Sequence, residues 1–336
     1  MNEKIIHIFL STDNNYSVPA YITLYSLIYN YRGNNNVNAY ILTSGDISPE
    51  NRQLLSTLSD NNSKFEISIV DMKDAYNGVT FKLDHISHAA MYRLMIPRIA
   101  EQLQLEADIC IYLDTDIVVE GDISELYTLG ESLGDFYFAG VLDPSLFDKT
   151  QADNNVRLGI PAMDQYINSG VLLINMKQIR KDGLCNALEE AGYLEDFFYK
   201  DQDAINSVCY GGIRPIPLKY NMMRQFFYHN DQYFSEIYSK LYGRDNAFEA
   251  KREPVIIHFI DRQKPWTHRT ILMADKWWKY VGMQEKETIR NYITPFAAAH
   301  RAPVSDRFFE TTKSVLSHMG IYDIIGKAKH SIEKKI

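Results

Sequence analysis

Cysteine is scarce in this chain. Its 336 residues hold three, Cys110, Cys185 and Cys209, with no CxxC pair. That excludes a disulfide framework and a cysteine zinc site. The three read as reduced core residues. Long apolar runs are also missing, since no stretch reaches the ~18 residues of a membrane span. The opening MNEKIIHIFLSTDNNY has a short apolar run followed by polar residues, with no small-residue cleavage site, so it does not read as a signal peptide. Positive charge is in deficit: 35 Lys and Arg against 43 Asp and Glu give −8. Such a chain is poorly suited to neutralising phosphates, so no nucleic-acid partner is expected. Internal repeats and low-complexity linkers are absent as well. The expectation is a cytoplasmic protein, soluble or peripheral on the inner face of the cytoplasmic membrane.

What the chain does have is apolar residue, 46% of the total, enough for a packed core in a large α/β domain with extras. Apolar runs at 4–10, 37–43, 65–71 and 109–113 read as strands. Between them, 17–31, a segment starting with Ser48 as N-cap and Pro49 at its first position, and 87–103 show helical spacing. That alternation predicts a parallel sheet with helices on both faces, and ligands at the carboxyl ends of its strands. Further on, 136–142, 169–176 and 254–260 read as strands, and 201–212 as a helix ended by Gly211-Gly212. Residues 1–280 are expected to form one domain and 281–336 a helical tail.

The tail differs in charge. Residues 300–336 carry 7 Lys and Arg against 4 Asp and Glu. Phe308, Thr312, Val315, Leu316 and Met319 share one helical face. Ile321, Ile324, Ile325, Ala328 and Ile332 could share another. Such basic amphipathic segments either pack on the domain or attach to an anionic membrane surface.

The chemistry concentrates in IYLDTDIVVEGD, 111–122. Asp114 and Asp116 stand two apart after a buried strand, and on an extended strand both would point the same way. Two such charges need a cation between them, and Mg²⁺ or Mn²⁺ with open positions for phosphate oxygens is the natural partner. A phosphatase with an aspartyl nucleophile would also use such a pair, but on the first strand of its domain. Here about a hundred residues come first. The later HFIDRQKPW, 258–266, offers His258 as an imidazole ligand and Lys264 as a charge for a diphosphate.

Asp-x-Asp after a buried strand, NSGVLLIN at 168–175, DQD at 201–203 and the late HF…KPW, in this order, resemble glycosyltransferase family 8 over about residues 4–270. The resemblance implies an α/β GT-A fold with a mostly parallel central sheet. It also implies a UDP-hexose donor (UDP-galactose or UDP-glucose), Mn²⁺ or Mg²⁺, and transfer with retention, as in bacterial enzymes of lipopolysaccharide synthesis. The acceptor would be a glycan, glycolipid or glycoprotein. By the same resemblance Ser11, Thr12, Asp13, Asn15 and Tyr16 hold the uridine, with Asp13 on the uracil edge and Tyr16 stacked on the ring. Without it, Asp13-Asn14-Asn15 reads as a turn before a helix. Arg93 would reach the donor and orient nearby carboxylates. Asp114, Thr115 and Asp116 would lie at the donor, with Asp114, Asp116 and His258 on the metal and Lys264 on the diphosphate. Asp143 and Asn168 match sugar-side positions, and Asn221 a donor-side one. Asp201 and Gln202 match the residues nearest the anomeric carbon, while Asp203 suits a helix start. One departure stands out: the family usually has Gly three residues after the His, and this chain has Asp261. A nucleotide-sugar-binding module without turnover is the second reading.

Overall fold

A computed structural model describes residues 4–60, 62–79, 88–143, 158–161, 165–194, 197–227 and 242–318. Their packing forms two units. The first holds 4–115 and 122–216, and the second 116–121 and 217–318. The expected division was at 280; these units divide at 216 and exchange the short segment 116–121.

The first unit is built on a seven-stranded sheet. Its strands are β1 (Ile5–Ser11), β2 (Asn36–Thr43), β3 (Phe65–Asp71), β4 (Ile109–Leu113), β6 (Phe138–Leu142), β7 (Ile167–Asn175) and β8 (Ile213–Pro215), in the order β3-β2-β1-β4-β7-β6-β8. β1, β4, β6 and β7 are buried almost throughout, which their runs of branched and aromatic residues require. The pairings β1–β2, β2–β3, β1–β4 and β6–β8 are parallel. β7 runs antiparallel to both β4 and β6, so the sheet is mixed and mostly parallel rather than wholly parallel.

This unit's helices are α1 (Ser17–Asn30), α2 (Pro49–Asp60), α3 (His88–Met91), α4 (Ile96–Gln102), α5 (Ser124–Glu131), α6 (Met176–Lys181), α7 (Cys185–Ala191) and α8 (Lys200–Val208). α2 starts as expected: Ser48 Oγ accepts from the Asn51 amide at 3.2 Å, and Pro49 takes the first position. The helix expected over 87–103 is broken into α3, a 3₁₀ turn at Tyr92–Met95, and α4. Pro97 in the first turn of α4 donates no amide hydrogen, so a hydrogen-bond ladder cannot run through it. Ser87 lies outside the described residues.

Register decides what meets at the carboxyl edge. Leu10 of β1 pairs with Leu113 of β4, so the loop after β1 and Asp114 leave the sheet side by side. Val171 of β7 pairs with Leu113, and the Asp114 amide donates to Gly170 O at 2.8 Å. Leu142 pairs with Ile167, which brings Asp143 beside the start of β7.

The second unit holds a three-stranded sheet of β5 (Ile117–Val119), β9 (Met222–Met223) and β10 (Ile256–His258), with β10 in the middle. The strand expected over 254–260 therefore serves this small sheet and not the large one. Around it lie α9 (Arg244–Arg252), α10 (Ala274–Gly282), a π-helical segment at Ile289–Ile293, α11 (Thr294–Ala299) and α12 (Val304–His318). Trp277 and Tyr280 of α10 are fully buried, and Tyr280 OH donates to Val119 O at 3.1 Å. α12 buries Glu310 and Ser314 and leaves Phe308 and Val315, of the expected apolar face, 75% and 51% exposed. Burying Glu310 is feasible because Arg224, itself buried, lies 3.7 Å away. Met319 and the second expected face, Ile321 to Ile332, lie outside the described residues. No helix among the described residues is long and apolar enough to cross a membrane.

Candidate active site

Asp114 and Asp116 do not share an extended strand. β4 ends at Leu113 and β5 begins at Ile117; residues 114–116 form the bend between them. The two strands belong to different sheets, so the chain must turn there, and the two carboxylates acquire different neighbours.

In the first unit Asp114 Oδ1 accepts from Arg93 Nη2 at 2.8 Å and from Tyr112 OH at 2.9 Å. Arg93 is 4% exposed. Its Nε lies 3.2 Å from Asp201 Oδ2, its Nη1 donates to Ser169 O at 2.6 Å, and its guanidinium stacks over the Tyr112 ring. One guanidinium thus serves two carboxylates, which a planar fork can do and a lysine cannot. Burial raises the Asp201 pKa to about 6, with Arg93 opposing the rise and Asp114 adding to it. Ser169 Oγ donates to Asp201 Oδ2 at 2.8 Å.

Beside this lies a network centred on Gln202. Its Oε1 accepts from Asn168 Nδ2 and from the Ser169 amide, both at 3.1 Å. Its Nε2 donates to Asp143 Oδ2 at 3.2 Å and to Tyr166 OH at 3.1 Å. Asn168 Nδ2 also donates to Asp143 Oδ2, at 3.1 Å. Asp203 accepts from Tyr166 OH at 2.6 Å and from the Tyr199 amide at 2.9 Å, which is the helix-start role expected of it. Lys200, at the head of α8, has φ +37, a left-handed value that L residues resist; its ammonium donates to Leu194 O. That strained residue introduces Asp201 and Gln202.

The loop after β1 closes on itself. Asp13 Oδ1 accepts from the Tyr16 amide at 2.9 Å and caps a 3₁₀ turn at Asn14–Tyr16. Burial raises the Asp13 pKa. Ser11 and Thr12 are buried, Tyr16 is half-buried and Asn15 is exposed. Thr115 is buried, and its carbonyl accepts from Thr23 Oγ1.

In the second unit Asp116 Oδ2 accepts from Lys264 Nζ at 2.6 Å, and its Oδ1 lies 3.1 Å from His258 Nε2. Burial alone would raise the Asp116 pKa, but Lys264 and His258 hold it well below the ordinary carboxylate range. Lys264 also donates to Phe259 O at 2.7 Å. Asn221, fully buried, accepts from His258 Nδ1 at 3.0 Å. A neutral imidazole with its proton on Nδ1 would turn the Nε2 lone pair toward the carboxylate. Two lone-pair groups this close repel unless a proton or a cation lies between them. The donor set therefore fits a hard or borderline divalent cation, with Asn221 orienting the imidazole from behind. Asp261 has φ +75, the conformation a glycine would take most easily, and its Oδ2 lies 3.4 Å from Arg224 Nη2. The departure is thus accommodated without changing the loop's handedness.

The structure joins Arg93, Asp114 and Asp201 in one cluster, Asp143, Asn168 and Gln202 in its neighbour, and Asp116, Asn221, His258 and Lys264 in another. The sequence reading missed Tyr112, Tyr166, Ser169, Asn206 and Arg224. Ser169 lies inside the NSGV motif and was within reach. The tyrosines look like any strand aromatic until their hydroxyls find carboxylates. Asn206 bonds the Ile167 amide and carbonyl, tying α8 to β7.

The model of "Glycosyl transferase family 8" matches residues 7–270. General stress protein A of Bacillus subtilis is 26% identical over 296 residues, covering 86% of this chain and 97% of that protein. A lipopolysaccharide 1,2-glucosyltransferase of Escherichia coli is 26% identical over 260 residues, covering 76% and 71%. Among solved structures, the galactosyltransferase LgtC in complex with donor and acceptor sugar analogs superposes with a TM-score of 0.66 at 23% identity, over 85% of this chain and 99% of that one. The apo structure of the bifunctional glycosyltransferase WbbM gives 0.72 at 20% identity, over 90% of this chain and 52% of that one. With a family model spanning most of the chain and a sheet shared with these structures, the chain belongs to glycosyl transferase family 8, the GT-A glycosyltransferases that use a nucleotide-sugar donor and a divalent metal.

Proposed function

We propose that the protein transfers a hexose, galactose or glucose, from its UDP-sugar to a saccharide acceptor with retention at the anomeric carbon. The acceptor would be a glycan, glycolipid or glycoprotein of the cell surface, with lipopolysaccharide suggested by the named function of the E. coli relative. The observation that carries the reading is the pair Asp116–His258, whose Nε2 faces a carboxylate while Asn221 holds Nδ1. Asp116 and His258 would hold Mn²⁺ or Mg²⁺, together with Asp114, two positions before Asp116 in the chain. When bound, such an ion supplies charge stabilisation for a departing diphosphate.

The chain's own residues would divide the remaining work. Lys264 would hold a diphosphate oxygen. Ser11, Thr12, Asp13, Asn15 and Tyr16 would hold the uridine, and Asp143 and Asn168 the hexose hydroxyls. Gln202 is neutral, and its amide makes four hydrogen bonds, so it suits electrostatic support of an oxocarbenium-like centre rather than attack. Asp201 is tied by Oδ2 to Ser169 and Arg93. We favour same-face attack, with the departing phosphate taking the acceptor proton. Residues 300–336 would hold the enzyme against the cytoplasmic face of a membrane.

The test is UDP release from a panel of UDP-sugars, with Mn²⁺ and with EDTA, followed by assignment of the product anomer. Metal-dependent release with a retained anomer is expected. UDP affinity without turnover on any donor would leave a binding module instead.

A further inference from the structure

The second unit contains a cavity of about 740 Å³ that none of the roles above uses. Its walls come from the turn after Lys264, from α10, from the π-helical segment with α11, and from α12. The volume is that of an ordinary small-molecule site. The lining is divided in character. Three arginines, Arg269, Arg301 and Arg307, line it, and no carboxylate among the described residues belongs to the lining. The remainder is mostly aliphatic and aromatic, including Trp278, Ile293 and Phe308.

Two of the arginines have defined settings, and Arg301 is exposed. Arg269 stacks on the Trp278 ring, its guanidinium carbon 3.7 Å from the centroid, and Trp278 Nε1 donates to Pro265 O at 3.0 Å. Arg307 Nε is buried without a hydrogen-bond partner among the described residues. A buried guanidinium N–H left unpaired is costly, and an anion is the partner that removes the cost. Of the two acids on α12, Asp306 accepts from Ser305 Oγ at 3.1 Å, and Glu310 lies 3.7 Å from Arg224. A pocket whose described lining has several cationic forks and no anion, continuous with apolar walls, matches a molecule with a phosphate head and a hydrocarbon chain. A sugar or a free nucleotide would leave the aliphatic walls without a partner.

We propose that this cavity binds a phosphate-headed lipid, its head on Arg301 and Arg307 and its chain along Ile293 and Phe308. Two sources share that chemistry: a phospholipid drawn from a bilayer, and a lipid phosphate free in solution. The site does not depend on the transfer reaction, and its test needs no turnover.

The full chain is titrated with dihexanoyl phosphatidic acid below its micelle concentration, with inorganic phosphate, and with vesicles of phosphatidylglycerol or phosphatidylcholine. The soluble phosphatidic acid should bind, and bind at least about tenfold tighter than inorganic phosphate, a gap that burying a few methylenes readily supplies. Added binding to phosphatidylglycerol vesicles over phosphatidylcholine assigns a bilayer source; binding of the soluble lipid alone assigns a free one. The double variant Arg301→Gln/Arg307→Gln should weaken lipid binding about tenfold or more. Ala297→Trp, which fills the cavity, should abolish lipid binding while sparing metal-dependent UDP binding. That retained UDP binding and an unchanged thermal unfolding curve show that each variant is folded. Equal affinity for phosphate and phosphatidic acid overturns the proposal, as does a folded variant that binds lipid like the wild type.

Discussion

Asp201 is buried and Asp116 partly so, each beside a cationic side chain, yet their acidities move in opposite directions. Asp201 shares one guanidinium with Asp114, and burial wins: its pKa rises to about 6. Asp116 has Lys264 and His258 to itself, and together they outweigh burial. The ratio of cations to carboxylates, not burial alone, decides the sign. The first unit's cluster is a closed hydrogen-bonded framework. The second unit's cluster keeps a histidine Nε2 beside a carboxylate oxygen, a donor pair suited to a cation.

The largest expected effect tests that contrast directly. Asp116→Asn removes the anion from the second cluster, and metal-dependent UDP-sugar turnover should fall at least about a thousandfold, on the scale of losing a principal electrostatic contact. Steady-state kinetics checks it; a loss under about tenfold would separate Asp116 from the chemistry. Arg93→Met leaves the buried Asp201 and the partly buried Asp114 without their shared cation, so urea unfolding should show a loss of about 3–5 kcal/mol. Arg93→Lys should recover little of it, because an ammonium cannot serve both carboxylates as a fork does.

Asn221→Ala acts one step back from the cation. Metal affinity should drop about 10- to 100-fold, measured by Mn²⁺ titration, while the first unit's stability is unchanged. Asp201 gives a slope rather than a step. Its folded pKa is raised, so between about pH 4 and pH 6 the folded protein holds a proton that the unfolded chain has released. The stability it contributes is present below about pH 4 and lost as pH rises through 6. Urea midpoints across that range should show this component in the wild type and not in Asp201→Asn. The smallest effect is expected at Asp261. Asp261→Gly relieves a left-handed residue and gives up a long, half-exposed contact to Arg224, for a net change within about 1 kcal/mol by equilibrium unfolding.

Much of the site was legible because chemistry forces unusual residues into unusual places. Two carboxylates after ICIYL are costly unless something charged meets them, and a late His and Lys could supply it. The buried strands were legible from their apolar runs. The reading failed at the break in the chain. Nothing local distinguishes IYLDTDIVV as one strand from two short ones, because the difference lies in which partners accept the hydrogen bonds. The antiparallel course of β7 is of the same kind: its composition suits either direction.

Sequence by itself determined the donor types: carboxylates two apart, an imidazole and an ammonium after the last strand, an amide beside an aspartate in DQD. Side-chain chemistry is fixed at synthesis and does not depend on neighbours. Only the tertiary structure decided which charge each carboxylate meets. It gave Asp114 and Asp201 one arginine between them and gave Asp116 a lysine and a histidine. It also turned the polar stripe of α12 inward onto Arg224 and left Phe308 and Val315 out. Electrostatic and packing energies depend on distance and on exclusion of water, and those are set by long-range contacts that no local window of residues contains.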